Sequence, residues 1–497
     1  MDLGERIRQL EDLTTARWPA EPDQQPVAAS LPARVILIAA TVVYVALFTR
    51  WTFHNHAGYG TFGFDLGIYD QGLWLLSRFK APFVTIMGRN LFGDHTSFIL
   101  LPLVPLYWVW PSPRTLLFLQ AAALGLGAVP VFLIARDKLR GELLGSVMAV
   151  VYLVQPALGW TNFEQFHPDV FEVPLLLFAL WFMMRERWVG FFVCVALLLS
   201  VKEDVPVVVF VLGVYILFKH SRRVGLITMG AAASFAALTL WWVLPTLNGV
   251  GSLNGWRIPY GGPWGLTKTA VLHPWKVMSY ALSGGRAWYL WQLFAPVAML
   301  SLAAPSVLAL AIGPLALNVL STFQYQYHIQ YHYTTLIVPV LVVAAVFAIS
   351  RPPSLNLRRL LVALVAVLAL LSGWWWGATP FARAPAPVAS PHFARIAYIE
   401  AAMKLIPPKA NLSTFYGFIT HVEHREHVYE FPVPWKAQNW GTFKQEGKRL
   451  PQADTIDYVF VPTDMDQETM AILDSVRPAF DTVYDQHGVL LLKRKPA

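Results

Sequence analysis

The chain has 497 residues, of which 56% are hydrophobic and only 14% are charged. This composition excludes an ordinary soluble globular protein. The formal net charge of +8 would suggest nucleic acid for a soluble chain, but here it fits the orientation bias of membrane loops, so no nucleic-acid partner is expected. The only cysteine, Cys194, lies inside an apolar run, which rules out an intrachain disulfide.

Apolar runs long enough to cross a bilayer recur between Val35 and Thr379, which predicts an α-helical polytopic membrane protein. Residues 1–34 form a polar leader that is too long and too acidic for a signal peptide and is expected to be cytoplasmic. The apolar windows predict about eleven spanning helices within a membrane domain of residues 35–380. They are 35–49, 114–135, 143–160, 170–184, 188–201, 205–219, 224–245, 287–303, 305–321, 333–350 and 360–378.

Lys and Arg clusters in the leader and at four later turns fall on one side of the membrane if this count is right. The positive-inside rule makes that side cytoplasmic. The segment Thr96–Trp110 must then not span, and its two prolines and terminal tryptophans favour an interfacial helix. If this segment spanned the membrane, the basic cluster at 136–140 would lie on the extracytoplasmic side, against the positive-inside rule.

Three parts of the chain are then expected to be extracytoplasmic. A first loop at 51–113 should carry surface helices, and a second at 247–286 is rich in Gly and Trp. Residues 381–497 change composition abruptly and predict a small α/β domain. In that domain Ile396–Ile406 is typical of an amphipathic helix, and Asp457–Val461 and Val489–Leu492 are typical of strands.

Eight carboxylates of the membrane part map to this outer side, although acidic residues contribute little to topology. A charge at the bilayer centre costs ~2.5–3.5 kcal/mol, so the trio at 202–204 must lie at a helix end or face a cavity. An ordinary charged turn and a partly buried site group both fit that trio. The eight are Asp65, Asp70, Asp94, Glu164, Asp169, Glu172, Glu203 and Asp204.

The run Phe64–Trp74 places two of these acids just after the first predicted span. Asp65 could cap a helix starting at Leu66, or it could face a bound ligand, and the two roles are compatible. Asp70 lies five residues further on, at about 140° around a helix, so the two acids would not share a face. Asp70 is therefore interpreted as an acid with a structural role or one beside a metal, and Asp65 as the acid that takes part in the reaction.

Two segments pair a carboxylate with an imidazole, which is a ligand set that borderline divalent metals accept. The segments give Asp94 with His95 and Glu164 with His167 as metal or supporting residues. Their spacing matches no established metal motif, and helix capping by Asp94 and Asp169 is the competing explanation. A divalent metal is thus a candidate cofactor, and the sequence does not establish that any cofactor is required.

Cationic and donor side chains on the same side are candidates for binding a phosphate. In the Tyr- and His-rich run at 324–333, His328 and His332 would stand one helical turn apart, although an aromatic belt at the headgroup level also explains such a run. The substrate or phosphate candidates are Lys202, Glu203, Asp204, Arg89, His328, His332 and Tyr331, with Arg257 and Lys268 in the second loop.

Five segments together resemble a bacterial family of membrane proteins, the domain-of-unknown-function 2079 (DUF2079) family. They are Phe64–Trp74, Gly93–His95, Phe166–Pro168, Val201–Asp204 and the Tyr/His run before Pro339. That family is similar to the GT-C glycosyltransferases, multi-spanning enzymes that use polyprenyl-phosphate-linked sugars. The resemblance implies an inverting transfer to a glycan, lipid or protein acceptor at the outer face of the bacterial inner membrane, among membrane lipids. It places the catalytic Asp at Asp65, with Asp70 as its rival.

Two other classes of function remain open at this point. A lipid or polysaccharide transporter or flippase would place ionisable groups near the bilayer midplane and often shows repeated halves. A non-catalytic membrane scaffold or sensor would have a filled, apolar surface without a cavity near Asp65.

Overall fold

The computed structural model describes residues 27–249, 254–440 and 444–496, and the chain is mostly helical there, as predicted. Residues 1–26, which hold most of the predicted leader, lie outside the described ranges. The described part comprises a helical bundle and, after residue 380, a small domain built on a β-sheet. The predicted fold class is therefore confirmed.

Five helices of the bundle are long and apolar enough to cross a membrane. A sixth candidate is a pair, Glu142–Leu153 and Pro156–Phe163, bent by 51°. Several apolar helices are shorter, so the number eleven stays a prediction. The five are Leu31–Ala57, Pro113–Leu139, Arg222–Asn248, His332–Ser350 and Leu355–Trp376, and the shorter ones include Glu172–Met184, Trp188–Leu199, Val205–Lys219 and Pro305–Leu320.

The first helix is longer than its predicted window of 35–49. It begins after Ser30, whose side chain accepts from the Ala33 amide, and continues to Ala57 because Thr52, Asn55 and His56 are buried rather than exposed to solvent. Gly58 ends it against the backbone of residue 389, where an added Cβ would lie 2.4 Å from a carbonyl oxygen.

The loop at 58–112 contains the helices Ile68–Ser77 and Leu91–Asp94 and two short paired strands, β1 (Phe83–Val84) and β2 (Arg89–Asn90). Its segment Phe98–Val109 is 12 residues of broken helix, which reaches roughly 18 Å and is too short to cross a bilayer. The second loop holds Pro263–Leu272 and Pro274–Leu282, followed by Arg286–Phe294.

The C-terminal domain has a five-stranded sheet with the order β4-β3-β5-β7-β6. The first three strands in that order are parallel to one another, and β7 runs antiparallel to both of its neighbours, β5 and β6. The predicted helix and both predicted strands are present, whereas β3, β4 and β6 were not predicted. The bounds are β3 Leu412–Thr414, β4 Val428–Glu430, β5 Tyr458–Pro462, β6 Phe480–Gln486 and β7 Val489–Arg494, with helices Arg395–Met403 and Gln467–Val476.

Both faces of the central strand β5 are buried, which explains its continuous apolar sequence. Val459 and Val461 pack in the core of the domain, while Phe460 between them packs in the core shared with the membrane part. The domain therefore rests directly on the helical bundle and its first loop.

Hydrogen bonds fix this docking. Thr85 Oγ1 donates to the Val428 carbonyl at 2.6 Å and accepts from the Val428 amide at 3.1 Å. Gln71 Nε2 donates to Thr85 Oγ1 and to the Arg425 carbonyl, all buried. The first loop is thus held between the helices and the sheet, which positions the residues described next.

Candidate active site

A cavity of about 490 Å³ lies where the first loop, the ends of several helices and the C-terminal domain meet. Each of its charged groups sits in a connection or at a helix end, so the groups gather at one end of the bundle. The lining residues are Phe64, Asp65, Ile68, Tyr69, Arg89, Asp94, His95, His167, Asp169, Lys202, Asn254, Trp256, Arg257, His332, Tyr333, Asn439 and Glu446.

Asp65 occupies a strained backbone conformation on the wall of this cavity. Its φ of 66° and ψ of −91° lie near the strained form of the γ-turn, which L-residues rarely adopt. The following helix begins at Ile68 and has no side-chain cap, so the alternative role of Asp65 as an N-cap is wrong. Its carboxylate is about one-third exposed and lies 3.2 Å from His167 Nε2.

His167 lies in a buried group of three polar side chains. Its ring stacks on His332 at 3.7 Å, and Glu164 Oε2 accepts from the His332 amide at 2.7 Å. Burial lowers the pKa of His167, but the charges of Asp65 and Glu164 outweigh it and raise that pKa to about 9. Burial raises the pKa of Glu164 to about 8. At neutral pH His167 is therefore a cation that faces the Asp65 carboxylate.

The metal-ligand set that the structure offers differs from the predicted one. Glu164, His167 and His332 each present a ligand atom within 4.8 Å of the others, so they could hold a divalent ion. Asp94 instead pairs with Arg89 at 3.4 Å, and His95 Nδ1 bonds Glu203 at 2.7 Å. The sequence did not indicate His332 as a metal ligand, because it lies more than 160 residues after Glu164 and His167 along the chain.

Lys202 is buried and Glu203 and Asp204 are partly buried, which favours the partly buried site group over the ordinary charged turn. Lys202 Nζ donates to Asp169 at 2.9 Å, and both side chains are 7% exposed. Burial raises the pKa of Glu203, but the charge of His95 outweighs it and lowers that pKa to about 2. Asp204 lines a small adjoining cavity with Asp169 and Glu172, and burial raises its pKa.

Arg257 enters the cavity from the second loop. Its guanidinium packs 4.3 Å from the centre of the Phe323 ring, and Nη1 donates to the Tyr333 hydroxyl at 3.5 Å. Within the described residues it forms no ion pair with a carboxylate, and its Nε is buried without a partner. Arg257 is thus placed to bind an anion that enters from outside the protein.

Seven predicted residues do not line the cavity, namely Asp70, Glu164, Glu203, Asp204, Lys268, His328 and Tyr331. Lys268 is exposed on the helix Pro263–Leu272 of the second loop. Asp70 is fully buried and bonds Tyr107 and His424, which face away from it. His328 is exposed beside a separate aromatic-lined cavity of about 350 Å³. Tyr331 packs on Tyr325 at 4.7 Å.

The expected spacing of His328 and His332 on one helix is wrong. His328 and Tyr331 have extended backbones between two short 3₁₀ turns, so the imidazoles face different parts of the structure. Tyr333, which the prediction passed over, takes the place in the cavity that was assigned to Tyr331.

Asn439 and Glu446 of the C-terminal domain were also missed. Glu446 accepts from the amides of Asn439 and Trp440, which ties a turn of the domain over the cavity. Nothing in the local sequence distinguishes these two residues from ordinary surface groups, because their position depends on how the domain docks.

The bundle, its first loop and the sheet domain together define a polytopic helical fold with a small sheet domain docked at one end. The fold is similar to ArnT of Cupriavidus metallidurans, with a TM-score of 0.59 to the structure bound to undecaprenyl phosphate and 0.58 to the apo structure. In both comparisons the identity is 12% and the alignment covers 94% of this chain and 100% of ArnT. The Archaeoglobus fulgidus oligosaccharyltransferase in its apo form is more distant, with a TM-score of 0.46, 11% identity and coverage of 93% and 74%.

The chain belongs to the DUF2079 family of predicted membrane proteins, whose sequence model matches residues 59–491. The resemblance drawn from the five sequence segments is thereby confirmed. No curated protein matches the chain in sequence.

Proposed function

We propose that this protein is a glycosyltransferase that takes a sugar from a polyprenyl-phosphate donor at the outer face of the membrane. The observation that carries the proposal is the cavity beside Asp65, whose lining brings this partly exposed carboxylate together with the cationic side chains of Arg89, Lys202 and Arg257. The ArnT-like fold supports the donor class, since ArnT has been solved with undecaprenyl phosphate.

The donor phosphate would lie against Arg257. A guanidinium binds a phosphate through two parallel hydrogen bonds, and Arg257 has donors that no carboxylate occupies within the described residues. Lys202 contributes positive charge at a distance, because its own ammonium is bonded to Asp169. Trp256 and Tyr333 on the same wall offer ring faces for the sugar.

Asp65 would act as the general base. Its carboxylate takes the proton from the acceptor hydroxyl while the hydroxyl oxygen attacks the anomeric carbon. The bond from that carbon to the phosphate oxygen breaks in the same step, and the phosphate leaves with the electron pair. A single displacement inverts the anomeric centre.

His167 would position the base. As a cation 3.2 Å from Asp65, it would hold one oxygen of that carboxylate and so fix the orientation of the other toward the acceptor. The strained backbone at Asp65 is consistent with a side chain held for chemistry rather than for stability.

The cavity argues against a scaffold whose outer surface is filled and apolar. It also argues against a transporter, since the charged groups collect at one end of the bundle rather than along a path through it.

Synthetic short-chain polyprenyl-phosphate hexoses and pentoses test the proposal. The purified protein is incubated with this panel and a membrane extract that supplies acceptors, and liberated polyprenyl phosphate is measured by mass spectrometry. At least one donor should be consumed. Arg257→Ala should raise the KM for that donor by about 10- to 150-fold, the equivalent of one charge-assisted contact.

Arg383→Ala is the matched control, because Arg383 also packs on a tryptophan, Trp375, but lies outside the cavity. This variant should keep the KM of the wild type. Failure of every donor in the panel, or equal effects of the two arginine variants, would overturn the proposal.

A further inference from the structure

A second cluster of buried ionisable groups lies between the first loop and the C-terminal domain, away from the cavity beside Asp65. It consists of Asp70 from the helix Ile68–Ser77 and of Glu423 and His424 from the domain. One ligand atom of each lies within 4.8 Å of the others. We propose that these three residues bind a divalent transition metal of the zinc type, which fastens the domain to the loop.

The hydrogen bonds in the cluster leave one acid oxygen without a partner. Asp70 is fully buried and its two oxygens contact the Tyr107 hydroxyl at 2.5 Å and His424 Nε2 at 2.6 Å. Glu423 is 2% exposed, and its Oε2 has no hydrogen-bond partner. A buried carboxylate oxygen without a partner is costly, and a bound cation satisfies it.

The charges of the ligands suit a divalent ion. Two carboxylates and a neutral imidazole carry a total of −2, which a 2+ ion balances. The nearest cationic side chain, Arg425, does not take this role, since its guanidinium donates to the carbonyls of Val422 and Ala410. Mixed imidazole and carboxylate ligands favour zinc and its first-row neighbours over calcium.

The pair formed by His424 and Asp70 needs only a small adjustment to bind a metal, and the Glu423 carboxylate must come from within 4.8 Å to coordination distance. Metal–nitrogen and metal–oxygen bonds of ~2.0–2.1 Å hold neighbouring tetrahedral ligands roughly 3.3 Å apart. His424 Nε2 and Asp70 Oδ2 would separate by roughly 0.7 Å, and the Tyr107 hydroxyl or a water could complete the shell. His424 is 29% exposed on its side chain, which gives an ion a path into the cluster.

Metal analysis of the full-length protein in detergent tests this site. The protein is stripped with EDTA, dialysed against micromolar zinc and then against metal-free buffer, and bound zinc is counted by mass spectrometry. His424→Ala and Glu423→Gln should each bind one zinc fewer than the wild type. Zinc should raise the melting temperature of the wild type and leave that of both variants unchanged.

Two controls keep the outcome decisive. Glu426→Gln alters a nearby exposed acid that pairs with Lys80 of the same loop, so it should keep the full zinc count. His167→Ala tests the separate group in the cavity and should leave the zinc at His424 in place. If Asp70 and Glu423 merely share a proton, wild type and Glu423→Gln will bind equal zinc and melt alike with and without EDTA, which overturns the proposal.

Discussion

Replacing Asp65 by glycine should make the protein inactive and should leave it more stable than replacing Asp65 by asparagine, which keeps the strained backbone. The φ of 66° and ψ of −91° at this residue cost about 1–3 kcal/mol for a side chain with a Cβ, and glycine removes that cost. Greater freedom of the unfolded chain offsets about 0.5–1 kcal/mol of the gain. The ion pair with the buried His167 is lost in the glycine variant and in an asparagine variant alike, so its loss cancels when those two are compared.

Asp65→Asn is the matched variant, since asparagine keeps the shape and the strained backbone but removes the charge. We expect glycine to exceed asparagine in unfolding free energy by about 1 kcal/mol, read as a higher melting temperature in the same detergent. Both variants lose the general base, so donor consumption should fall by about 10²–10⁴-fold.

The two measurements separate the two parts of this reasoning. If the glycine variant melts below the asparagine variant, Asp65 is not strained in the way its dihedral angles indicate. If either variant keeps more than a tenth of the wild-type rate, Asp65 is not the base.

Three further predictions follow from the buried contacts. Lys202→Met leaves Asp169 buried without its partner and should destabilise the protein by about 3–5 kcal/mol. Adding Asp169→Asn to this variant should recover much of the loss. Equal melting temperatures of the single and double variants would contradict a stabilising ion pair. The raised pKa of His167 means that its charge is present below pH 9 and is lost above it, so the transfer rate should fall as the pH rises through about 9, and His167→Gln should lack this alkaline limb. Thr85→Val should cost about 1–3 kcal/mol by leaving the Val428 amide and carbonyl unpaired, while Thr85→Ser keeps the hydroxyl and should melt close to the wild type.

Much of the architecture is predictable because bilayer and sheet impose simple patterns. Apolar windows located the long helices, and short continuous apolar runs located the central strands β5 and β7 of the domain. The windows set the first helix too short, because buried polar residues at its end, such as Asn55 and His56, look hydrophilic in a hydropathy average. Strands of three residues, such as β3, carry too little pattern to be found.

The site is less predictable than the fold. The uneven distribution of acids indicated the end of the bundle at which the cavity lies, and Asp65, Asp94, His167 and Lys202 line that cavity together. Their partners could not be read from the sequence. The pairing of Glu203 with His95, 108 residues apart, depends on tertiary packing alone.

Asp70 illustrates the same limit. Its helical position separated it from Asp65, as expected, but its partner His424 comes from a domain 354 residues further along the chain. No local pattern around Asp70 predicts a contact with His424. The roles assigned to individual site residues remain predictions to be tested as above.

A cryo-electron microscopy structure with a short-chain polyprenyl-phosphate sugar tests the central claim most directly. We expect the phosphate within hydrogen-bond distance of the Arg257 guanidinium and the sugar inside the cavity, with its anomeric carbon facing Asp65. Donor bound in the aromatic cavity beside Trp288, with the cavity at Asp65 containing only water, would contradict the proposed function.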